Sequence, residues 1–105
     1  MSPRLGLVLA TGPEVQDLQR VLAVARAARR RRLAVAVFAM HRGVVALAAA
    51  PAVVAALLDA GCDVIGCATS ADRHGVDLAA LGVVAGSQDD HAAITDRRHA
   101  VVAFT

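Results

Sequence analysis

Two cysteines and four histidines carry most of the chemical options in these 105 residues. Cys62 and Cys67 lie five positions apart within Gly61–Gly75, GCDVIGCATSADRHG. Cys62–Ala68 reads as a buried strand, and Thr69–Gly75 as a polar, glycine-closed loop in which Ser70 caps a short turn. Cys67 therefore falls where a strand ends, and Cys62 where it begins. At about 3.3 Å per residue their separation is roughly 16 Å, and an odd spacing turns them to opposite faces. A disulfide needs Cα atoms within about 7 Å, so the two thiols are not a redox couple within one chain. Cys62 is assigned to packing. Cys67 has two readings. It is a small buried apolar residue, as cysteine often is. Alternatively, it is a nucleophile whose thiolate is favoured by the backbone N–H groups of a turn capped by Thr69 or Ser70, with Arg73 and His74 adding positive charge if the loop folds back.

The histidines do not form a metal motif. None of His41, His74, His91 and His99 has C-x-x-C, H-x-x-x-H or H-E-x-x-H spacing, and no metal is expected. His41 and His74 fall in loops near Cys67 and could assist it. His91 and His99 are assigned to the surface. No phosphate loop, dinucleotide fingerprint or G-x-S-x-G elbow is present, so no cofactor is expected.

The elements that must hold Cys67 alternate. Leu5–Ala10 is a continuous apolar run, which suits a strand covered on both faces. Thr11 and Glu14 have capping-box spacing before a helix expected over Pro13–Arg31. Its buried stripe is Val15, Leu18, Val21, Leu22, Ala25 and Ala28. Leu33–Met40 is the clearest strand, and His41–Gly43 a turn. Val44–Ala50 is a partial helix stopped at Pro51, and Ala52–Ala60 a second piece ending at Gly61. After the Cys67 strand come a weak turn at Asp77–Leu81 and a short strand at Val83–Ala85. A last helix runs from Ser87 to about Arg98, and Ala100–Phe104 is the final strand. Strands alternating with helices imply a parallel sheet with right-handed crossovers. In such sheets functional loops lie at the carboxyl ends of the strands, where Cys67, Thr69, Ser70, Arg73, His74 and His41 all fall.

Composition bounds the rest. The length suits one domain, residues 1–105. The chain is 57% apolar with two Phe and no Tyr or Trp. A core of Ala, Val and Leu with surplus apolar surface leads to the expectation of a homo-oligomer. All 11 basic residues are Arg, and the net charge of +2 is mild. Arg29–Arg32 crowd a helix end without aromatic partners, so no nucleic-acid partner is expected. The longest apolar run, Gly43–Leu58, contains Pro51 and falls short of the roughly 20 residues that span a bilayer. No targeting segment is visible, and a cytoplasmic protein with no membrane partner is expected.

These residues resemble the DsrE/DsrF-like sulfur-relay family. Ala10-Thr11-Gly12-Pro13 before an Ala-rich helix is similar to the family's first strand end. His41-Arg42-Gly43-Val44 resembles its x-G-V turn, and Gly61 to Cys67 its G-x-x-V-x-x-C stretch. Cys67 through Arg73 and His74 to Gly75-Val76 resembles its C…R-x-G-[VL] loop, with His74 where a second basic residue is frequent. Ala100–Phe104 resembles the closing strand. The resemblance implies a three-layer α/β/α fold with a mostly parallel five-stranded sheet, assembled as a trimer or hexamer. It also implies a sulfur carrier or sulfurtransferase-like activity, with Cys67 taking a sulfane sulfur from a donor protein and passing it to an acceptor. Family members without this cysteine are structural or regulatory. A non-catalytic interaction subunit with Cys67 buried is therefore the alternative, and a small-ligand-binding module is a weaker rival.

Overall fold

The structure, a computed structural model, describes residues 4–87, 89–91 and 100–105. Five strands form one sheet: β1 (Arg4–Leu9), β2 (Ala34–Ala39), β3 (Asp63–Cys67), β4 (Val84–Gly86) and β5 (Ala100–Phe104). Their order is β4-β3-β2-β1-β5, and every pairing is parallel. The sheet is thus parallel throughout. The helices are α1 (Asp17–Arg30), α2 (Gly43–Ala49), α3 (Pro51–Asp59) and α4 (Ala68–His74), with a 3-10 turn at Ala79–Leu81.

Alternation along the strands divides the core in two. Leu7, Leu9, Val35, Val37, Ala39 and Val64 face the main cluster. There they meet Leu18, Val21, Ala25 and Ala28 of α1, Val44 and Leu47 of α2, and Val54 and Leu57 of α3. Each fully buried Val or Leu contributes about 1.5–3 kcal/mol, so this face supplies most of the stability. Phe38 and Cys67 form a second, smaller cluster with Ala36, Met40 and Ile65 against it. Phe38 pairs with Ile65 in the β2–β3 register, so the two side chains share a face.

Three expected boundaries move for physical reasons. Helix α1 begins at Asp17 rather than Pro13, and no side chain caps it. Glu14 is drawn away to Arg42, and the Thr11 hydroxyl donates to Asp17 Oδ2 at 2.8 Å, so the expected capping box does not form. Val15 accordingly lies outside the helix and is 43% exposed instead of joining the buried stripe. The expected polar loop Thr69–Gly75 is helix α4. Gly75 stops it at φ 66°, with the Gly75 N–H donating to the Asp72 carbonyl and the Val76 N–H to Ala71. This is the paired bonding of a Schellman ending. The same pair of bonds ends α1, but the left-handed residue there is Arg32, at φ 63°. The short strand shifts by one residue to Val84–Gly86, whereas Ala100–Phe104 is a strand as expected. Ser87 does open a helical turn: its Oγ accepts from the Asp89 N–H, and its own N–H donates to Asp90 Oδ2. The expected helix beyond residue 91 lies outside the described residues.

Candidate functional site

The carboxyl ends of β1, β2 and β3 lie side by side, and the residues that follow them form the site. Cys67 is the last residue of β3 and the residue before α4, with extended backbone at φ −65° and ψ 119°. The chain passes from strand to helix with no intervening loop. Cys67 is 5% exposed and packs on Phe38.

Ser70 follows one turn later and is buried. It does not cap α4, as expected from the sequence, because it lies inside the helix. Its Oγ instead accepts a hydrogen bond from the His41 N–H at 2.9 Å. His41 occupies the left-handed region at φ 52°. Its turn is closed by the Gly43 N–H donating to the Met40 carbonyl, while the Met40 N–H donates to Leu9 at the end of β1. Cys67, Ser70 and the backbone of His41 are therefore brought together.

Arg73 and His74 are not. They occupy the last turn of α4 and are exposed. A six-residue advance along an α-helix carries Arg73 about 9 Å from Cys67 along the axis. The expected folding back of these charges toward the thiol fails because the segment is helical. The Arg73 charge instead complements the negative end of α4. Thr69 lies in the first turn and is exposed.

Two features of the site are absent from the sequence reading. Arg42 Nη2 donates to Glu14 Oε2 at 2.9 Å and Nε to Oε1 at 3.3 Å, strapping the loop after β1 to the turn after β2. The strap lies over Gly12, where a Cβ would stand 2.6 Å from Glu14 Oε2 and 2.7 Å from Arg42 Nε. The Arg42 hydrogen bond, helped by the backbone N–H of Glu14 itself, holds the Glu14 carboxyl below the usual carboxylate range. The same bond raises Arg42. Capping-box spacing drew Glu14 to the helix in the sequence, and nothing local marked Arg42 as its partner.

The second feature is His91. Expected at the surface, it is half-buried, and its ring stacks on Phe38 with centroids 5.3 Å apart and planes at 26°. Phe38 thus has Cys67 packed against it and His91 stacked on its ring. No sequence signal pairs residues on these two elements. His99 lies outside the described residues.

Cys62, just before β3, is buried in the main cluster, as its assignment to packing requires. Burial pushes its thiol up; nearby Arg29 opposes this and Asp63 adds to it. Neither cysteine is in a disulfide. Among the described residues, no group of three or more His, Cys, Asp or Glu is arranged to hold a metal ion, and no helix is long and apolar enough to cross a membrane.

The sequence profile of the DsrE/DsrF-like family matches residues 4–104. No curated protein sequence matches the chain. Among solved structures, a conserved protein of unknown function, BT1422, from Bacteroides thetaiotaomicron is similar with a TM-score of 0.82 at 11% identity, over 96% of this chain and 94% of that one. The ychN protein from E. coli is similar with a TM-score of 0.78 at 21% identity, over 97% of this chain and 99% of that one. At these identities the likeness is one of fold.

Proposed function

The chain belongs to the DsrE/DsrF-like family, and we propose that it is a sulfur carrier whose working group is Cys67. The observation that carries this reading is the position of Cys67, at the strand-to-helix junction on the carboxyl edge of a parallel sheet. That edge is where α/β sheets place their reactive groups.

The Cys67 thiolate attacks the outer sulfur of a donor persulfide. A bond forms between Cys67 Sγ and that sulfur, the donor S–S bond breaks, and the donor leaves as its thiolate. An acceptor thiolate then attacks the bound sulfur, and Cys67 departs as thiolate. No net oxidant is consumed. With 5% exposure, the thiol reaches either partner after a small local displacement of its cover. Ser70 and His41 shape that cover. Arg73, His74 and Thr69 present an exposed face of α4 to a docking donor or acceptor protein.

The carrier works as a cytoplasmic homo-oligomer. Val84 on one edge strand is 64% exposed, and Val101 and Val102 on the other are 37% and 43% exposed, which supports burial against further copies. Sedimentation at micromolar concentration that returned only the monomer mass would contradict this assembly.

A second reading is favoured by the burial of Cys67 against Phe38. In it the chain is a non-catalytic subunit of such an assembly. Intact-mass measurement after incubation with polysulfide separates the two. The carrier gains the mass of one sulfur in wild type and in Cys62→Ser, loses that gain in Cys67→Ser, and discharges when a small acceptor thiol is added. A wild-type chain that gains no sulfur is the subunit.

A further inference from the structure

Among the described residues, Ser70 is the one polar side chain that is buried, and its hydrogen bond leaves its own helix. The donor, the His41 N–H, is 29 residues away in the chain. His41 holds a left-handed backbone, a conformation that costs an L residue about 1–2 kcal/mol. A turn under such strain keeps its shape only when its surroundings fix it.

Three anchors fix this turn. The Met40 N–H is bonded to Leu9 at the end of β1, Arg42 is strapped to Glu14, and the His41 N–H is bonded to Ser70. The third is the one that reaches α4, one helical turn beyond Cys67. The turn begins at Met40, whose side chain packs against the Phe38–Cys67 cluster. Whatever holds the turn against α4 therefore also holds Met40 against the cluster that contains the thiol.

We propose that Ser70 is a positioning residue: by accepting the His41 N–H it pins the Met40–Gly43 turn to α4 and keeps Cys67 covered. This rests on the carrier reading of Cys67 and gives it a mechanism of access. Exposing the thiol begins with the opening of the Ser70–His41 hydrogen bond, which loosens the turn from α4 while the other two anchors keep it tied to the β1 end. Strand β3 and the main core stay in place. A docking partner that competes for Ser70 or displaces the turn uncovers the nucleophile.

Cys62 is a built-in reference, because it lies at the opposite end of β3 and is covered by the main core. The experiment measures iodoacetamide alkylation of each cysteine in the native chain, resolved by peptide mass spectrometry. In Ser70→Ala the Cys67 rate rises about fivefold, the equivalent of a hydrogen bond worth about 1 kcal/mol, and the Cys62 rate stays within about twofold of wild type. Equal acceleration of both thiols means general loosening and overturns the proposal, as does no acceleration of either. His41→Gly keeps the N–H donor and accepts the left-handed backbone, so its Cys67 rate stays near wild type. A rise there would transfer the role to the imidazole and overturn the proposal. In the wild-type chain the His41 amide is protected from hydrogen exchange; exchange at the unprotected rate contradicts the pin without any substitution. Polysulfide loading reports on the carrier role separately, so failure of the pin and failure of the carrier are distinguishable.

Discussion

Cys62 and Cys67 bracket one strand and are equally buried, each 5% exposed, yet their surroundings differ. Cys62 lies among the side chains of the main cluster, where helices α1 and α3 close over the sheet. Reaching it means parting those helices from the sheet. Cys67 lies on the other face in a cluster whose second buried member is Phe38, at the edge where strands end and turns begin. Met40, which begins the turn with the left-handed His41, packs against that cluster. Accessible area does not distinguish the two thiols. What separates them is how much of the molecule must move to expose each.

The contrast is broken most severely at Cys67 itself. Cys67→Ser removes all polysulfide-derived sulfur from the chain, whereas Cys62→Ser keeps the wild-type gain; sulfur retained by Cys67→Ser would make the two thiols equivalent. A core truncation comes next. Leu57 is fully buried beside Cys62 in the main cluster, and Leu57→Ala should cost about 3 kcal/mol by urea unfolding. Cys62 alkylation, which follows global opening, then accelerates by roughly a hundredfold, while Cys67, opening locally, changes far less. Parallel acceleration would show that both thiols wait for the same unfolding.

A smaller, opposite change sharpens the same point. Arg32 ends α1 in the left-handed region. Arg32→Gly removes that strain and should raise stability by about 1 kcal/mol. It slows alkylation of Cys62 and leaves Cys67 nearly unchanged. Unaltered stability in thermal unfolding would mean that Arg32 is held at no cost.

The smallest effect is in pH. The Cys62 thiol is raised in the folded chain by burial. Its contribution to stability is therefore complete below the unfolded thiol range and is lost as pH rises through the folded value. Stability measured by denaturant should fall on the alkaline side above about pH 8.5, and Cys62→Ala should flatten that fall. Glu14 has the opposite sign. Its carboxyl is lowered by Arg42, so the strap holds above the usual carboxylate range and releases as pH falls through the folded value.

Much of this architecture is legible in the residues. Runs such as Leu5–Ala10 and Leu33–Met40, apolar on both faces, read as covered strands, and Cys67 at the end of the third such run follows from counting along the chain. What the sequence hides is set by contacts between distant elements. Thr69, Ser70 and Asp72 bond readily to backbone and read as turn formers. They join α4 because Ser70 and Ala71 are buried on its inner side. That helix is also why Arg73 and His74 stand away from the thiol. Glu14 has the spacing of a capping residue, and its capture by Arg42 depends on β1 and β2 being neighbours. The bond between Ser70 and His41 likewise needs β2 beside β3, and the stacking of His91 on Phe38 needs the chain after β4 to return over that face. Strand order, which short-range pattern does not encode, decides all three.

The most direct measurement is residue-resolved mapping of sulfur on the unsubstituted chain. The native protein is loaded with polysulfide, trapped with an alkylating agent and digested, and each cysteine peptide is weighed before and after an acceptor thiol is added. The carrier role predicts added sulfur on Cys67, none on Cys62, and its loss from Cys67 on discharge. Sulfur distributed equally over both thiols, or absent from Cys67, would contradict it.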